Sequence, residues 1–206
     1  SRKGVIGVPG RATSSTIADG GALDPLRQRV FAALWIATVV SNIGTWMQNA
    51  AAGWLMAGLT RDAFVVSLVQ VATMLPVVLL GLPAGALADI VDRRRLLIAI
   101  NVALTLVVAG LAILIGFNAV TPAVLLIFTF LVGAGSALIA PSWQAIVPSL
   151  VPPKDLQAAI SLNSVGINIS RAVGPALAGL IIGVLGQSAP FWVNALSTLG
   201  VIAVLV

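Results

Sequence analysis

Arg171 lies near the middle of a long apolar stretch, and Ser164 and Asn168 share its side at helical spacing. A guanidinium at mid-membrane depth costs at least about 2.5–3.5 kcal/mol, so it must face protein or a water-filled cavity. No acid in the sequence sits at a similar depth. The partner must then be a carbonyl, an amide, a bound anion or an acid outside this chain. The wider set Ser161, Ser164, Asn168, Arg171, Pro175, Gly179 and Gly183 is spaced by three and four, which is one stripe on an α-helix. Its first half is polar and its second half exposes backbone. A second stripe, Gly166, Ser170, Gly174 and Ala178, falls on the opposite side, and small residues every four positions let two helices approach closely. Gly174-Pro175 interrupts helical hydrogen bonding and invites a kink. Arg171 is the leading candidate for contact with a substrate or for coupling; the competing role is an arginine tying helices together through carbonyls.

Other polar groups gather in the same way. Ser41, Asn42, Thr45, Gln48 and Asn49 crowd one side of the first apolar stretch, and Ser136 and Gln144 stand eight apart in the fourth. Amides suit a polar organic solute, although as bonds between helices they contribute only about 0.6 kcal/mol each. The predicted cavity lining is Asn42, Thr45, Gln48, Asn49, Gln144, Asn168 and Arg171. The chain has no His and no Cys, which removes disulfides, thiolate chemistry and the commonest zinc ligands. With no paired acids inside the apolar stretches either, neither an enzyme nor a metal or other cofactor is expected.

These residues must be positioned by elements that water could not solvate. Of the 206 residues 59% are apolar and 8% charged, against about 45–50% and about 25% in a soluble domain. Roughly 20 apolar residues in a helix cross the hydrocarbon core of a bilayer. Six segments meet that length, at 30–59, 63–88, 96–117, 122–150, 156–185 and 189–206. They are too long and too evenly apolar for barrel strands. The expected fold class is an all-α membrane protein with six transmembrane helices. Residues 1–26, rich in Gly, Ser, Thr and Pro, read as a disordered cytoplasmic tail. Residues 27–206 read as the membrane domain, cut within its sixth helix and continued by a second half elsewhere. With the N-terminus inside, nine Lys and Arg fall on the cytoplasmic side and Arg61 alone outside, the distribution that membrane insertion favours. Basic residues lie between apolar runs, not along an exposed face, so the net charge of +5 does not point to nucleic acid.

The junction of the second and third segments reads Gly85-Ala-Leu-Ala-Asp89-Ile-Val-Asp92-Arg93-Arg94-Arg95. Asp89 follows Gly85 by four and stands at the unfavourable negative end of its own helix dipole, so it needs a partner from elsewhere. This run resembles the signature loop of the major facilitator superfamily: Gly, three residues, Asp, a short turn and a basic cluster. Gly85, Asp89, Arg93 and Arg94 or Arg95 match it; Ile90 stands where a basic residue is common, and Asp92 where Gly is. Gly166, Gly174, Pro175 and Gly179 are similar to the fifth-helix signature of that superfamily's antiporters, with Ser170 in place of a Gly. Thr45-Trp46-Met47-Gln48-Asn49-Ala50 is echoed by Ser142-Trp143-Gln144-Ala145.

The resemblance implies two inverted three-helix repeats in one half of a twelve-helix protein. It implies a gate and charge relay at Gly85, Asp89, Arg93 and Arg94. It also implies proton-driven export of a small organic molecule from a bacterial cell, similar to drug and siderophore exporters of the inner membrane. The expected partners are that solute, the lipid bilayer and the second half. The alternatives are an uncoupled facilitator and a channel-like or lipid-moving protein.

Overall fold

The computed structural model describes residues 21–206, apart from the side chains of Ala88, Asp89 and Ala145. Six α-helices fill most of the described residues: α1 (Arg29–Leu59), α2 (Ala63–Ile90), α3 (Arg93–Gly116), α4 (Pro122–Leu150), α5 (Leu156–Leu185) and α6 (Ala189–Leu205). Five are long and apolar enough to cross a membrane; α6 has 17 residues and falls short of that length. At 1.5 Å per residue it spans about 26 Å.

Local chemistry sets the ends of these helices. Asp62 accepts the Phe64 backbone N–H at 2.9 Å and starts α2. Asp92 accepts the Arg95 backbone N–H at 2.8 Å and starts α3. An acid at that position, where the signature loop carries Gly, therefore acts as a helix cap. It also places the arginine run inside the first turn of α3, so that helix begins three residues before the apolar segment does. Thr121 caps α4, with Pro122 at the first helical position. Gly186, at φ 88°, ends α5 in a conformation that favours glycine.

The predicted tail over 1–26 lies outside the described residues as far as residue 20. The end of that range is ordered, however: Asp24–Arg27 form one 3-10 turn, with Pro25 buried and Leu26 against the core. The ordered domain therefore begins before residue 27, because an apolar turn precedes α1.

α1 packs against α5 and α6, α4 packs against α2 and α3, and α3 meets α6. Two apolar clusters lie towards opposite ends of the bundle. One joins Leu55 and Met56 of α1 to Leu111 of α3, Leu125 of α4 and Phe191 of α6. The other joins Phe31 and Leu34 of α1 to Leu97, Val147 and Val201 near the opposite ends of the same helices. The polar groups lie between these clusters.

Glycine allows the closest seams. A Cβ on Gly174 would lie 2.5 Å from Trp46 Cβ and 3.0 Å from the Met47 nitrogen. One on Gly166 would lie 2.7 Å from a Val39 methyl, and between them Ser170 Oγ donates to the Gly166 and Val39 carbonyls at 2.8 and 3.2 Å. Gly133 plays the same part on α4, 2.7 Å from the Thr73 carbonyl of α2. α5 runs as one helix through Pro175.

Candidate functional site

A cavity of about 360 Å³ occupies the middle of the bundle. α1 gives it Thr38, Ser41, Asn42, Thr45, Trp46 and Asn49; α4 gives it Thr129, Ser136, Trp143 and Gln144. Thr73 and Met74 of α2, Asn101 of α3, Asn163 of α5, and Asn194 and Thr198 of α6 complete its polar and soft lining. Among the described residues no Asp, Glu, Lys or Arg lines it. Its wall offers amides, hydroxyls and two indoles on an aliphatic background, which suits a molecule with both apolar surface and hydrogen-bonding groups.

A hydrogen-bonded network stiffens the α1–α6 side. Asn194 Nδ2 donates to Gln48 Oε1 at 2.5 Å, and both side chains are buried, at 4% and 3% exposure. Thr45 Oγ1 is 3.1 Å from the Ser41 carbonyl and 3.4 Å from Asn194 Oδ1; Thr198 Oγ1 donates to the Asn194 carbonyl at 2.9 Å. Gly44 makes the approach possible, since a Cβ there would fall 2.9 Å from Asn194 Oδ1. Across the cavity Trp143 Nε1 donates to Asn163 Oδ1 at 3.1 Å. Thr38 Oγ1 is buried without a hydrogen-bond partner among the described residues.

Of the seven residues predicted to line a cavity, Asn42, Thr45, Asn49 and Gln144 do so. Gln48 does not: its amide turns towards α6 and is taken up by Asn194. Asn168 and Arg171 do not either. Their stripe on α5 is exposed in this chain, and Asn168 Nδ2 bonds back to the Ser164 carbonyl at 2.9 Å. Arg171 is exposed in this chain and places its Cζ 4.9 Å from the centroid of the Trp46 ring. A cation–π contact at an exposed site contributes about 0.5–1 kcal/mol, so Trp46 offers the guanidinium a modest favourable partner. Asn101, Asn163, Asn194 and Thr198 are lining residues that spacing alone did not select. The signal was there for two of them: Asn194 and Thr198 are four apart, as two polar groups on one helix face must be.

The predicted gate residues lie at the junction of α2 and α3. The Asp89 side chain is outside the described residues. A Cβ on Gly85 would meet nothing within 4 Å, so the close approach that a glycine there permits is not made within the described residues. Arg93 opens α3. Arg94 donates to the Leu205 and Val206 carbonyls. Gly166 and Gly174 are buried against α1, while Pro175 is exposed and Gly179 makes only an ordinary contact with Trp54, at 3.8 Å.

Comparison with known proteins fits this arrangement. The chain is 34% identical over 155 residues to the staphyloferrin A transporter of Staphylococcus aureus, covering 75% of this chain and 39% of that protein. It is 29% identical over 168 residues to the multidrug efflux pump Tap of Mycobacterium tuberculosis, covering 77% of this chain and 39% of that protein. It is 26% identical over 151 residues to macrolide efflux protein A of Streptococcus pyogenes, covering 73% of this chain and 37% of that protein. The chain thus spans about two fifths of the length of these relatives. The model of the transmembrane secretion effector family matches residues 20–206. The chain belongs to that family, within the major facilitator superfamily of transporters, and is part of an integral membrane protein.

Proposed function

We propose that this chain is one six-helix half of a secondary-active exporter that carries a small organic molecule out of a bacterial cell by alternating access. The observation that carries this reading is the uncharged cavity whose wall gathers amides and hydroxyls on an apolar background, inside a bundle with helices of membrane-crossing length. Lipid gives no reason to gather so many amides and hydroxyls around a void, whereas a solute path does. The names of the relatives, a siderophore transporter and drug efflux proteins, agree with a small organic cargo.

The helices read as two three-helix repeats, 1–3 and 4–6, related by inversion. Exchanging α1 with α4, α2 with α5 and α3 with α6 turns the set of packed pairs into itself. Trp46 and Trp143, the centres of the short sequence echo, both line the cavity. The Lys and Arg distribution favours an N-terminus in the cytoplasm and insertion in the inner membrane. Gly85, Asp89, Arg93 and Arg94 would latch this half against the other on the cytoplasmic side.

Proton coupling forms part of the proposal. The lack of any described ionisable group in the cavity wall favours a second reading, an uncoupled facilitator. Efflux from cells expressing the full-length protein separates the two. Saturable efflux that collapses on adding a proton uncoupler supports the coupled exporter. Efflux indifferent to the uncoupler supports the facilitator, and no efflux across a broad compound panel contradicts both.

A further inference from the structure

Trp46 belongs to two neighbourhoods. It stands in the cavity wall on α1, and its ring lies 4.9 Å from Arg171 Cζ on α5. Its backbone is held from the same side, because α5 offers only the Cα of Gly174 at the point where Trp46 Cβ arrives. α5 therefore fixes both the root of this side chain and the cation against its ring. Arg171 does not itself line the cavity. It is a formal charge placed just behind a wall whose described residues carry none.

Two consequences follow from elementary electrostatics. A cation is drawn to the electron-rich face of an indole, so Arg171 restrains the plane of the ring. A charge in a medium of low dielectric is weakly screened, so its field reaches across a single ring into the cavity. A ring already polarised towards one cation attracts a second cation less. It meets an electron-rich or acidic aromatic group more favourably.

We infer that Arg171 is a positioning residue that acts on the cavity through Trp46, holding the indole as a stacking plate and biasing it against cationic cargo in favour of neutral or acidic aromatic molecules. This rests on the reading of the cavity as the solute site.

The test uses the purified full-length protein and three naphthalene probes that carry a sulfonate, a hydroxymethyl or a trimethylammonium group. Binding is followed by fluorescence titration, and flux of the same probes is measured in proteoliposomes. Whatever the wild-type ranking, Arg171→Gln is expected to raise the affinity for the ammonium probe relative to the sulfonate by about threefold to tenfold, with Arg171→Lys retaining most of the wild-type ratio. A ratio unchanged in Arg171→Gln overturns the inference. A shifted ratio without flux in any variant leaves the inference standing and removes the export reading. Flux with an unshifted ratio does the reverse. Trp46→Leu is the second arm, and it decides the matter should Arg171→Gln fail to fold. It is expected to weaken the hydroxymethyl naphthalene at least about threefold relative to a straight-chain alcohol of similar size. Equal weakening of the two would end the claim that Trp46 is a stacking plate.

Discussion

At the α1–α5 seam Gly174 brings α5 against the backbone of α1, and at the α2–α4 seam Gly133 brings α4 against the backbone of α2. Under the proposed helix exchange the two seams correspond as helix pairs, although the glycine lies on α5 in one and on α4, the counterpart of α1, in the other, and they are finished differently. The outer edge of α2–α4 is a groove of about 330 Å³ walled by aliphatic side chains and Phe130, among them Leu68, Leu75 and Leu126. The edge of α1–α5 carries Arg171 over Trp46 and the polar stripe of Ser161, Ser164 and Asn168. One close-packing device thus serves two surroundings. An apolar groove rests in hydrocarbon at no cost, whereas a stripe with an arginine and an amide is stable only against protein or water.

The strongest way to break this comparison is to remove the shared device. Gly174→Val and Gly133→Val should each destabilise the protein by several kcal/mol, because the new side chain meets backbone that cannot rotate away. Thermal unfolding in detergent should show comparable losses at the two sites. A large loss at one and none at the other would mean that the seams are not equivalent.

A smaller effect is expected from the α1–α6 network. Asn194→Leu leaves the Gln48 amide buried without its partner and should cost about 1–3 kcal/mol. Adding Gln48→Leu should recover part of that loss, and a double variant no more stable than Asn194→Leu alone would argue against a paired amide. Asp92→Ala removes the cap of α3 and should cost about 1 kcal/mol, read as a lower melting temperature.

Gly85→Ala sharpens the comparison from the other side. Nothing among the described residues meets the added methyl, so stability of this chain should change by no more than about 0.5 kcal/mol. A marked loss of efflux by the full-length variant would then locate a close approach between the two halves at Gly85.

Much of the helical framework was legible in the sequence. α4 and α5 occupy the expected ranges, because proline, glycine and charge bound their apolar runs sharply. α3 starts earlier than hydropathy suggests, since an arginine excluded from hydrocarbon is still acceptable in the first turn of a capped helix. α6 matches its predicted start and is too short to qualify as a span on length alone. The cavity lining is legible in α1 and α4, whereas Asn168 and Arg171 of α5 do not line the cavity within this chain. Periodicity reports which residues share a face, so Ser164, Asn168 and Arg171 were grouped together. It does not report which neighbour that face meets, and α1 covers the opposite, glycine-bearing face. Gln48 and Asn194 illustrate the same limit, since a single amide reads alike whether it awaits a solute or another amide.

The central claim, that the polar void is a solute path open to water, can be tested by cysteine accessibility. This chain has no cysteine of its own, so single replacements can be made in a full-length protein cleared of any others. Asn42 lines the cavity, while Leu106 is 69% exposed on the far side of α3 from Leu104 and Val108. Asn42→Cys should react with a membrane-impermeant thiosulfonate in intact cells or inverted vesicles and be protected by transported solute, while Leu106→Cys should stay unlabelled. Labelling of Leu106→Cys with Asn42→Cys inert would contradict the account.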